Sequence, residues 1–407
     1  MVIHSSADQI NPQLQMPTPC RLLYVVGQLS LGGLERQLYY LLSNLDHVRY
    51  CPAVVVWNLN RNDKYYKDIQ TLKIPLYGFP PEWSSLSKLK ALRVLTGQLK
   101  PEVIHAYDFY TNFAAAYAAW ATKTLAIGSR RSEYTPHRHR RGGVKRLLNA
   151  KWPAYHIINS TPSADAVNRA LSLFTSRHIV IVRNALDLNL FKCVSEVTEK
   201  RGYVGAIGSL TRVKRWDRLL RVARDLKSVL GENIRFQIAG DGPLRPALAK
   251  LADELEVSRI VEFRGAVHDI AAFLSGAKFL IHTSESEGCP NVVMEAMACG
   301  LPVVAMRTGE IPYLVEDGKT GFVVAQDDEA MFAERVSLLL GDNELCLSMG
   351  AFARAHAIRE FTLERLVSET LAAYRAAGWK DGMVGDRSKI PGAIATSNSS
   401  PRNFSRQ

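Results

Sequence analysis

TSESEGCPNVVMEAMACGLPVVA, residues 283–305, predicts a loop, a helix and a strand in immediate succession. The apolar run 279–281 before it predicts a short buried strand, and Pro302–Ala305 predicts a second one. Between the two strands, Pro290 and Asn291 suit the first turn of a helix. This order of elements is the repeating unit of an α/β protein.

Two carboxylates flank the start of the predicted helix. Glu287 lies in the loop, and Glu295 lies inside the helix, two turns further along the chain. We expect both to face one cleft, with the unpaired N–H groups of the first helical turn between them. The N–H groups and the helix dipole suit phosphates, and carboxylates suit sugar hydroxyls, which predicts a ligand carrying both. As a bare pair, two such glutamates indicate no more than two solvated helix charges.

In its context, the stretch resembles the E-x7-E block of the retaining nucleotide-sugar glycosyltransferases of family four, and AMACGLPVVA continues the match. The resemblance implies an α/β fold of two facing Rossmann-like domains (the glycosyltransferase B fold), with a cleft between them and a C-terminal helix that crosses back. It implies that Glu295 binds the donor ribose and that Glu287, a candidate catalytic residue, lies beside the sugar ring. The loop backbone is then expected to meet the sugar and phosphates through Gly288, Cys289, Pro290 and Asn291.

A first Rossmann-like unit is predicted near the N-terminus. The apolar run 21–26 predicts a strand, Gly32 and Gly33 a turn, and the leucines from Leu34 onward a helix with one buried face. A Gly-Gly turn alone is equally consistent with a tight connection. GGLER resembles the family's turn that faces donor and acceptor, and we expect Glu35 and Arg36 to form a local or interdomain ion pair.

His105 ends the predicted strand Val103–His105. A histidine at the carboxyl end of a parallel strand is expected to point into the ligand crevice, which makes it a candidate catalytic residue. The alternative is a structural histidine whose ring nitrogens are both hydrogen-bonded. Family members often have H-x-H here, whereas this chain has His105-Ala106-Tyr107.

The strand–turn–helix pattern restarts at residues 201–214. The family places an arginine after the turn glycine and a lysine five residues later, both on the donor diphosphate. Lys214 matches the lysine, as a candidate catalytic cation, although a surface lysine is the alternative; Ser209 replaces the arginine, and Arg212 is the nearest substitute. The resemblance also implies that a later turn meets the nucleotide base. The expected donor-binding residues of this half are Gly208, Ser209, Arg212, Lys214, Arg264, Gly265 and Ala266.

Residues 130–146, RRSEYTPHRHRRGGVKR, contain seven Arg or Lys and two His. They indicate either a solvated loop or a surface for an anionic acceptor or lipid headgroups, since apolar residues follow them. No nucleic-acid-binding motif accompanies the charge, so nucleic acid is not an expected partner. The candidate acceptor or membrane-surface residues are Arg138, Arg140, Arg141, Lys145 and Arg146.

Composition sets further bounds. The formal net charge is +12, which favours an anionic partner. No apolar run approaches ~20 residues, the N-terminus lacks the apolar core of a signal peptide, and the six cysteines have no C-x-x-C spacing. These features favour a cytoplasmic protein, with peripheral contact to the inner face of the membrane. The expected organisation is a disordered tail at 1–19, an acceptor domain at 20–187, a donor domain at 188–376 and a disordered tail at 377–407.

The resemblance implies transfer of a hexose, with retention, from a nucleotide diphosphate donor such as a UDP-sugar to a glycan or lipid-linked acceptor, in surface polysaccharide biosynthesis. The chain contains no D-x-D, so we expect no metal and no cofactor besides the nucleotide-sugar co-substrate. A sugar-nucleotide epimerase or a phosphorylase of the same fold is an alternative. A catalytically silent protein that binds nucleotide sugars or lipids is another, because Ser209 stands where the family has arginine.

Overall fold

A computed structural model of the 407-residue chain describes residues 20–131, 143–169, 178–191 and 202–381, without the side chains of 143, 146–147 and 166–169. The described residues form two parallel β-sheets of seven and six strands, flanked by helices. This confirms the predicted α/β fold of two Rossmann-like units. Among the described helices, none combines the length and the apolar character needed to cross a bilayer.

The seven-stranded sheet has the order β3-β2-β1-β4-β5-β6-β7. Its strands are β1 (Leu22–Val26), β2 (Pro52–Val56), β3 (Leu76–Gly78), β4 (Val103–Ala106), β5 (Leu125–Arg130), β6 (Tyr155–Ile158) and β7 (His178–Ile181). The helices of this N-terminal half are α1 (Gly33–Ser43), α2 (His47–Tyr50), α3 (Lys64–Thr71), α4 (Ser85–Leu99), α5 (Asn112–Trp120), α6 (Gly143–Lys151) and α7 (Thr161–Arg169).

The six-stranded sheet has the order β10-β9-β8-β11-β12-β13. Its strands are β8 (Tyr203–Ile207), β9 (Phe236–Ala239), β10 (Val261–Gly265), β11 (Ala277–His282), β12 (Val303–Met306) and β13 (Gly321–Val324). The helices of this C-terminal half are α8 (Trp216–Leu230), α9 (Arg245–Glu254), α10 (Ile270–Ser275), α11 (Asn291–Ala298), α12 (Ile311–Leu314), α13 (Glu329–Gly341), α14 (Asn343–Glu360) and α15 (Leu363–Ala376).

Strand β1 shows why the sheets are buried on both faces. All five residues of its sequence LLYVV are buried, with alternate side chains in two separate apolar clusters. A continuous apolar run of this kind is typical of a parallel strand covered by helices on both sides. Strand β1 pairs with β2 and β4 in parallel, so the loops after these strands meet at one edge of the sheet.

Helix α15 crosses back to the N-terminal half, as predicted. Leu366, Leu371 and Tyr374 are buried in the same apolar cluster as β1. The sequence predicts one helical segment over 344–376, but the structure breaks it after Phe361. The hydroxyl of Thr362 accepts a hydrogen bond from the N–H of Arg365 at 3.2 Å, which caps a new helix start.

The predicted start of the C-terminal tail, at residue 377, lies too early in the chain. Trp379 is buried, and its ring N–H donates to Glu102 Oε2 at 2.6 Å in the N-terminal half. The remaining tail residues, and the tail predicted at 1–19, lie outside the described residues. The domain boundary at 187/188 falls between β7, which ends at Ile181, and β8, which begins at Tyr203, and stays a prediction.

Candidate active site

A cleft of about 530 Å³ lies between the two halves at the carboxyl ends of their strands. Its walls combine loop residues and helix starts from both sheets. The N-terminal half contributes Leu31, Gly32, Gly33, Leu34, Arg36, Tyr65, Arg131, Asn159 and Asn184, and the C-terminal half contributes Ile207, Gly208, Lys214, Glu287, Gly288, Cys289, Pro290, Asn291, Val292 and Glu295.

An ion pair between Lys214 and Glu287 stands on the C-terminal wall. Lys214 follows β8, where its carbonyl accepts a hydrogen bond from Thr283 Oγ1 at 2.9 Å, and its Nζ lies 2.5 Å from Glu287 Oε1. His282, the last residue of β11, places Nε2 3.3 Å from the same oxygen. Burial raises the pKa of Glu287, but the hydrogen bond from His282 and the charge of Lys214 outweigh burial and hold this pKa well below its usual value. Glu287 is therefore ionised.

Glu295 reaches the cleft from α11 and is almost fully buried. Its Oε1 forms an ion pair with Arg36, which projects from α1 of the opposite half. This confirms the interdomain pair expected for Arg36. Glu35, by contrast, stays within its own half and lies against the turn at Gly32.

Polar contacts join the two halves beside this ion pair. Asn291 Oδ1, in the first turn of α11, accepts hydrogen bonds from Asn184 Nδ2 at 2.9 Å and from Gln37 Nε2 at 3.3 Å. A Cβ atom on Gly33 would lie only 2.7 Å from Asn291 Nδ2, so a larger residue there would have to push the amide of Asn291 aside. The Gly-Gly turn therefore lies directly against the start of the helix predicted to hold phosphates.

The structure brings together most, but not all, of the residues predicted for the donor. Those that line the cleft are Gly32, Gly33, Gly208, Lys214, Glu287, Gly288, Cys289, Pro290, Asn291 and Glu295. Five predicted residues are not part of its walls: Ser209, Arg212, Arg264, Gly265 and Ala266.

Three of these residues have an evident local setting. Ser209 and Arg212 are exposed, and the short 3-10 turn Arg212–Lys214 brings Lys214, but not Arg212, to the wall of the cleft. The role of Arg212 as a substitute for the missing arginine stays a prediction. Arg264 lies on the edge strand β10 and pairs with Glu262 at 2.9 Å.

The structure does not bring His105 into the cleft. Its side chain is 1% exposed, with Nδ1 2.7 Å from the hydroxyl of Tyr374 and Nε2 2.8 Å from Ser129 Oγ. Burial, together with the charge of Arg131, lowers the pKa of His105 well below its usual value. The catalytic interpretation of His105 is therefore wrong in this geometry: the ring is a neutral connector between α15 and the first sheet.

A known protein family matches the part of the chain that forms the C-terminal wall of the cleft. Residues 191–356, which include Lys214, Glu287 and Glu295, match the family model of glycosyl transferases group 1. The C-terminal half of the chain is therefore similar to the glycosyl transferases of group 1.

Relatives and solved structures agree with this family. The chain is 29% identical over 183 residues to N-acetyl-alpha-D-glucosaminyl L-malate synthase of Bacillus anthracis, and that match covers 45% of this chain and 48% of the relative. It is 26% identical over 338 residues to a Campylobacter jejuni alpha-1,4-N-acetyl-D-galactosaminyltransferase named for a diNAcBac-PP-undecaprenol-linked glycan, covering 79% of this chain and 89% of the relative. The chain thus spans about half the length of the first of these relatives.

The fold is shared with HepE of Anabaena, crystallised in complex with UDP. The two superpose with a TM-score of 0.76 at 19% sequence identity, over 88% of this chain and 100% of the other. At that identity the likeness establishes the glycosyltransferase B fold.

Sequence reasoning missed one residue of the cleft, Arg131. Arg131 is the first residue after β5 and lines the cleft, with its guanidinium 3.9 Å from the ring centroid of Tyr107. The signal was available, because residues that follow parallel strands face the crevice. The many basic residues at 130–146 indicate one continuous surface segment, and this pattern obscures the position of Arg131 at the end of a strand.

The remaining predicted surface residues lie on or before α6. Arg138, Arg140 and Arg141 fall outside the described residues, and the side chain of Arg146 is not described. Lys145 is exposed. Within the described parts of the chain, no group of three or more His, Cys, Asp or Glu is arranged to hold a metal ion, and metal independence stays a prediction.

Proposed function

We propose that this protein is a glycosyltransferase that moves a hexose from a nucleotide diphosphate donor, first of all a UDP-sugar, to a glycan or lipid-linked acceptor with retention at the anomeric carbon. The proposal rests on one observation: a single cleft unites Lys214, Glu287 and Glu295 with the start of α11. UDP in the HepE complex and the undecaprenol-linked glycan in the name of the C. jejuni relative support this choice of donor and acceptor.

Each group has a part in binding the donor. The N–H groups at the start of α11 and the charge of Lys214 receive the diphosphate. Arg36 binds Oε1 of Glu295, which leaves Oε2 as an acceptor for a ribose hydroxyl. Glu287, ionised and fixed by Lys214 and His282, accepts hydrogen bonds from sugar hydroxyls.

Retention follows from attack on the face of the leaving group. The bond between the anomeric carbon and the diphosphate oxygen breaks, the acceptor oxygen bonds to that carbon, and the departing phosphate takes the acceptor's proton. No protein nucleophile is needed, so Glu287 acts by position and charge. Lys214 and the helix N–H groups stabilise the negative charge that develops on the diphosphate.

The first test is thermal stabilisation of the full chain by a panel of nucleotide sugars, followed by transfer assays with EDTA present. We expect a UDP-sugar to raise the melting temperature and transfer to persist without metal. The product should keep the donor's anomeric configuration by NMR, and Glu295→Gln should abolish transfer. An inverted product, or full activity of Glu295→Gln, contradicts the proposal.

The same assays separate the alternatives. An epimerase would convert the nucleotide sugar without an acceptor, and a phosphorylase would consume inorganic phosphate. A silent binding protein would be stabilised by the nucleotide sugar and release no nucleotide with any acceptor.

We also propose that the N-terminal half contacts the cytoplasmic face of a membrane beside α5 and α6. Trp120 is 83% exposed and Trp152 41% exposed. Trp152 packs on Phe113 of α5 and carries the ammonium of Lys151 4.9 Å from its ring, while Lys145 is exposed nearby on α6. Exposed tryptophans beside lysines are typical of a surface that lies at an anionic interface.

Cosedimentation with vesicles tests this contact. We expect binding to vesicles containing anionic lipid, little binding to neutral vesicles, and weaker binding of a Trp120→Ser/Trp152→Ser variant. Equal recovery of both proteins in the supernatant contradicts the proposal.

A further inference from the structure

The walls of the cleft carry more cationic than anionic side chains. Among the lining residues in the described part of the chain, three are cationic (Arg36, Arg131 and Lys214) and two are carboxylates (Glu287 and Glu295). Lys214 pairs with Glu287, and Arg36 pairs with Glu295. Among the described residues, none offers Arg131 a carboxylate partner, and its Nε and Nη1 are buried without a hydrogen-bond acceptor.

The guanidinium of Arg131 is held in place although two of its nitrogens, Nε and Nη1, have no acceptor. It stacks 3.9 Å from the ring centroid of Tyr107, which is itself fully buried. The backbone of Arg131 lies against the opposite half, since its carbonyl oxygen is 3.0 Å from where a Cβ of Gly288 would be. A planar cation that is stacked on an aromatic ring, with the N–H groups of Nε and Nη1 unpaired, is chemically suited to an oxyanion at the Glu287–Gly288 loop.

The C-terminal half lacks a second cation of its own at this point. Ser209 follows the turn glycine, Arg212 is exposed, and Lys214 is already engaged by Glu287. A diphosphate brings at least two negative charges into a cleft where only one fixed cation from that half faces it. Charge developing on a leaving diphosphate needs preorganised positive groups.

We propose that Arg131 is the second cation of the donor diphosphate site, supplied across the cleft by the N-terminal half. This inference rests on the proposed function. A guanidinium offers two parallel N–H donors to phosphate oxygens, so Arg131 and Lys214 grip the diphosphate from opposite halves. The bound donor therefore bridges the two halves. Closure of the cleft then depends on the phosphates of the donor and not on its nucleoside.

The test compares affinities for uridine, UMP and UDP in the full chain by calorimetry, for wild type, Arg131→Gln and Arg131→Lys. We expect Arg131→Gln to weaken UDP binding about 10- to 100-fold and to leave uridine affinity unchanged, because only the phosphate contacts are lost. Arg131→Lys keeps the positive charge but lacks the paired N–H donors of a guanidinium. Its UDP affinity should therefore lie between those of wild type and Arg131→Gln. This graded ratio of UDP to uridine affinity would not arise from loss of stacking on Tyr107 alone.

Arg93→Gln is the matched control. Arg93 also stacks on a tyrosine of the N-terminal half, 5.7 Å from the ring centroid of Tyr117, and does not line the cleft. We expect wild-type affinities for all three ligands. Melting curves of each variant establish folding, and Arg131→Lys carries the test if Arg131→Gln does not fold.

The outcomes separate this inference from the proposed function. Wild-type protein that binds none of UDP, ADP, GDP and dTDP overturns both. Unchanged UDP affinity in Arg131→Gln and Arg131→Lys overturns the role of Arg131 alone. Unchanged UDP affinity with a raised KM for a phosphorylated acceptor also overturns it, and places Arg131 on the acceptor's phosphate.

Discussion

Replacing Lys214 by methionine removes the cation nearest to the proposed leaving group while keeping most of the side-chain volume. The ion pair of Lys214 with Glu287 is well shielded, because the two side chains are only 19% and 15% exposed. A fixed charge in such a site acts on the transition state with little screening by water. Loss of one preorganised group of this kind costs about 2.7–4 kcal/mol, so we expect kcat to fall by about 10²–10³-fold.

The variant must be separated from a folding defect. Lys214→Met leaves the buried carboxylate of Glu287 with only His282 as a partner, which destabilises the fold as well as the transition state. The double variant Lys214→Met/Glu287→Gln removes that unpaired charge. Lys319→Met is the matched control, because Lys319 pairs with Glu316 at 2.7 Å with side chains 56% and 35% exposed. An exposed pair of this kind contributes about 0–1 kcal/mol, so stability and turnover should stay near wild type.

The assay is nucleotide release in the presence of acceptor, with kcat and donor KM determined separately and melting temperatures measured in parallel. We expect the loss to appear mainly in kcat, because the developing charge is greater in the transition state than in the bound donor. A folded Lys214→Met protein with kcat within about fivefold of wild type would refute the reasoning. It would mean that the helix N–H groups and Arg131 carry the charge without Lys214.

Three further predictions concern stability, each measured by urea unfolding. Burial lowers the pKa of His156 to about 3 from 6.5, so its contribution is complete well above pH 6.5 and is lost as the pH falls toward 3; wild type should lose about 1–2 kcal/mol more than His156→Gln between pH 6.5 and 5. Tyr374→Phe leaves buried Nδ1 of His105 unpaired and should cost about 1–3 kcal/mol, whereas an unchanged midpoint would contradict the connector role. Glu310→Ala leaves Arg183 without its carboxylate, 2.6 Å away, and should cost about 3 kcal/mol, against a smaller loss in Glu310→Gln.

The unit around α11 could be predicted because several independent signals coincide there. Apolar runs mark β11 and β12, and Pro290 marks the helix start, which the structure places at Asn291. The strands β3, β5 and β13 were not predicted. Strand β3 has only three residues, all partly exposed, and β5 carries Gly128 and Ser129 where an apolar run would be expected. Missing β5 also hid Arg131, since its position at a strand end could not be recognised.

His105 and Arg131 show what a linear pattern cannot specify at a strand end. Both lie near the carboxyl edge of the first sheet. Strand β4 continues one residue past His105, so that the ring projects from the face of the sheet where α15 packs. Arg131 stands one residue beyond β5 and is released from that alternation. A difference of two positions relative to the strand end therefore separates a buried connector, His105, from a residue of the cleft, Arg131. The position of each strand end is set by hydrogen bonds between strands, which the linear sequence does not show.

The contacts between the two halves at the cleft are polar, whereas the contacts of α15 with the first sheet are apolar. The polar pairs that cross between the halves include Arg36 with Glu295, Asn184 with Asn291, and Arg183 with Glu310. The attachment of α15 to the first sheet is apolar and is completed by His105 and Tyr374. Interfaces of the first kind permit relative motion of domains, and those of the second kind do not. We therefore expect closure of the cleft to be taken up at the break before α15, while α15 itself stays with the N-terminal half.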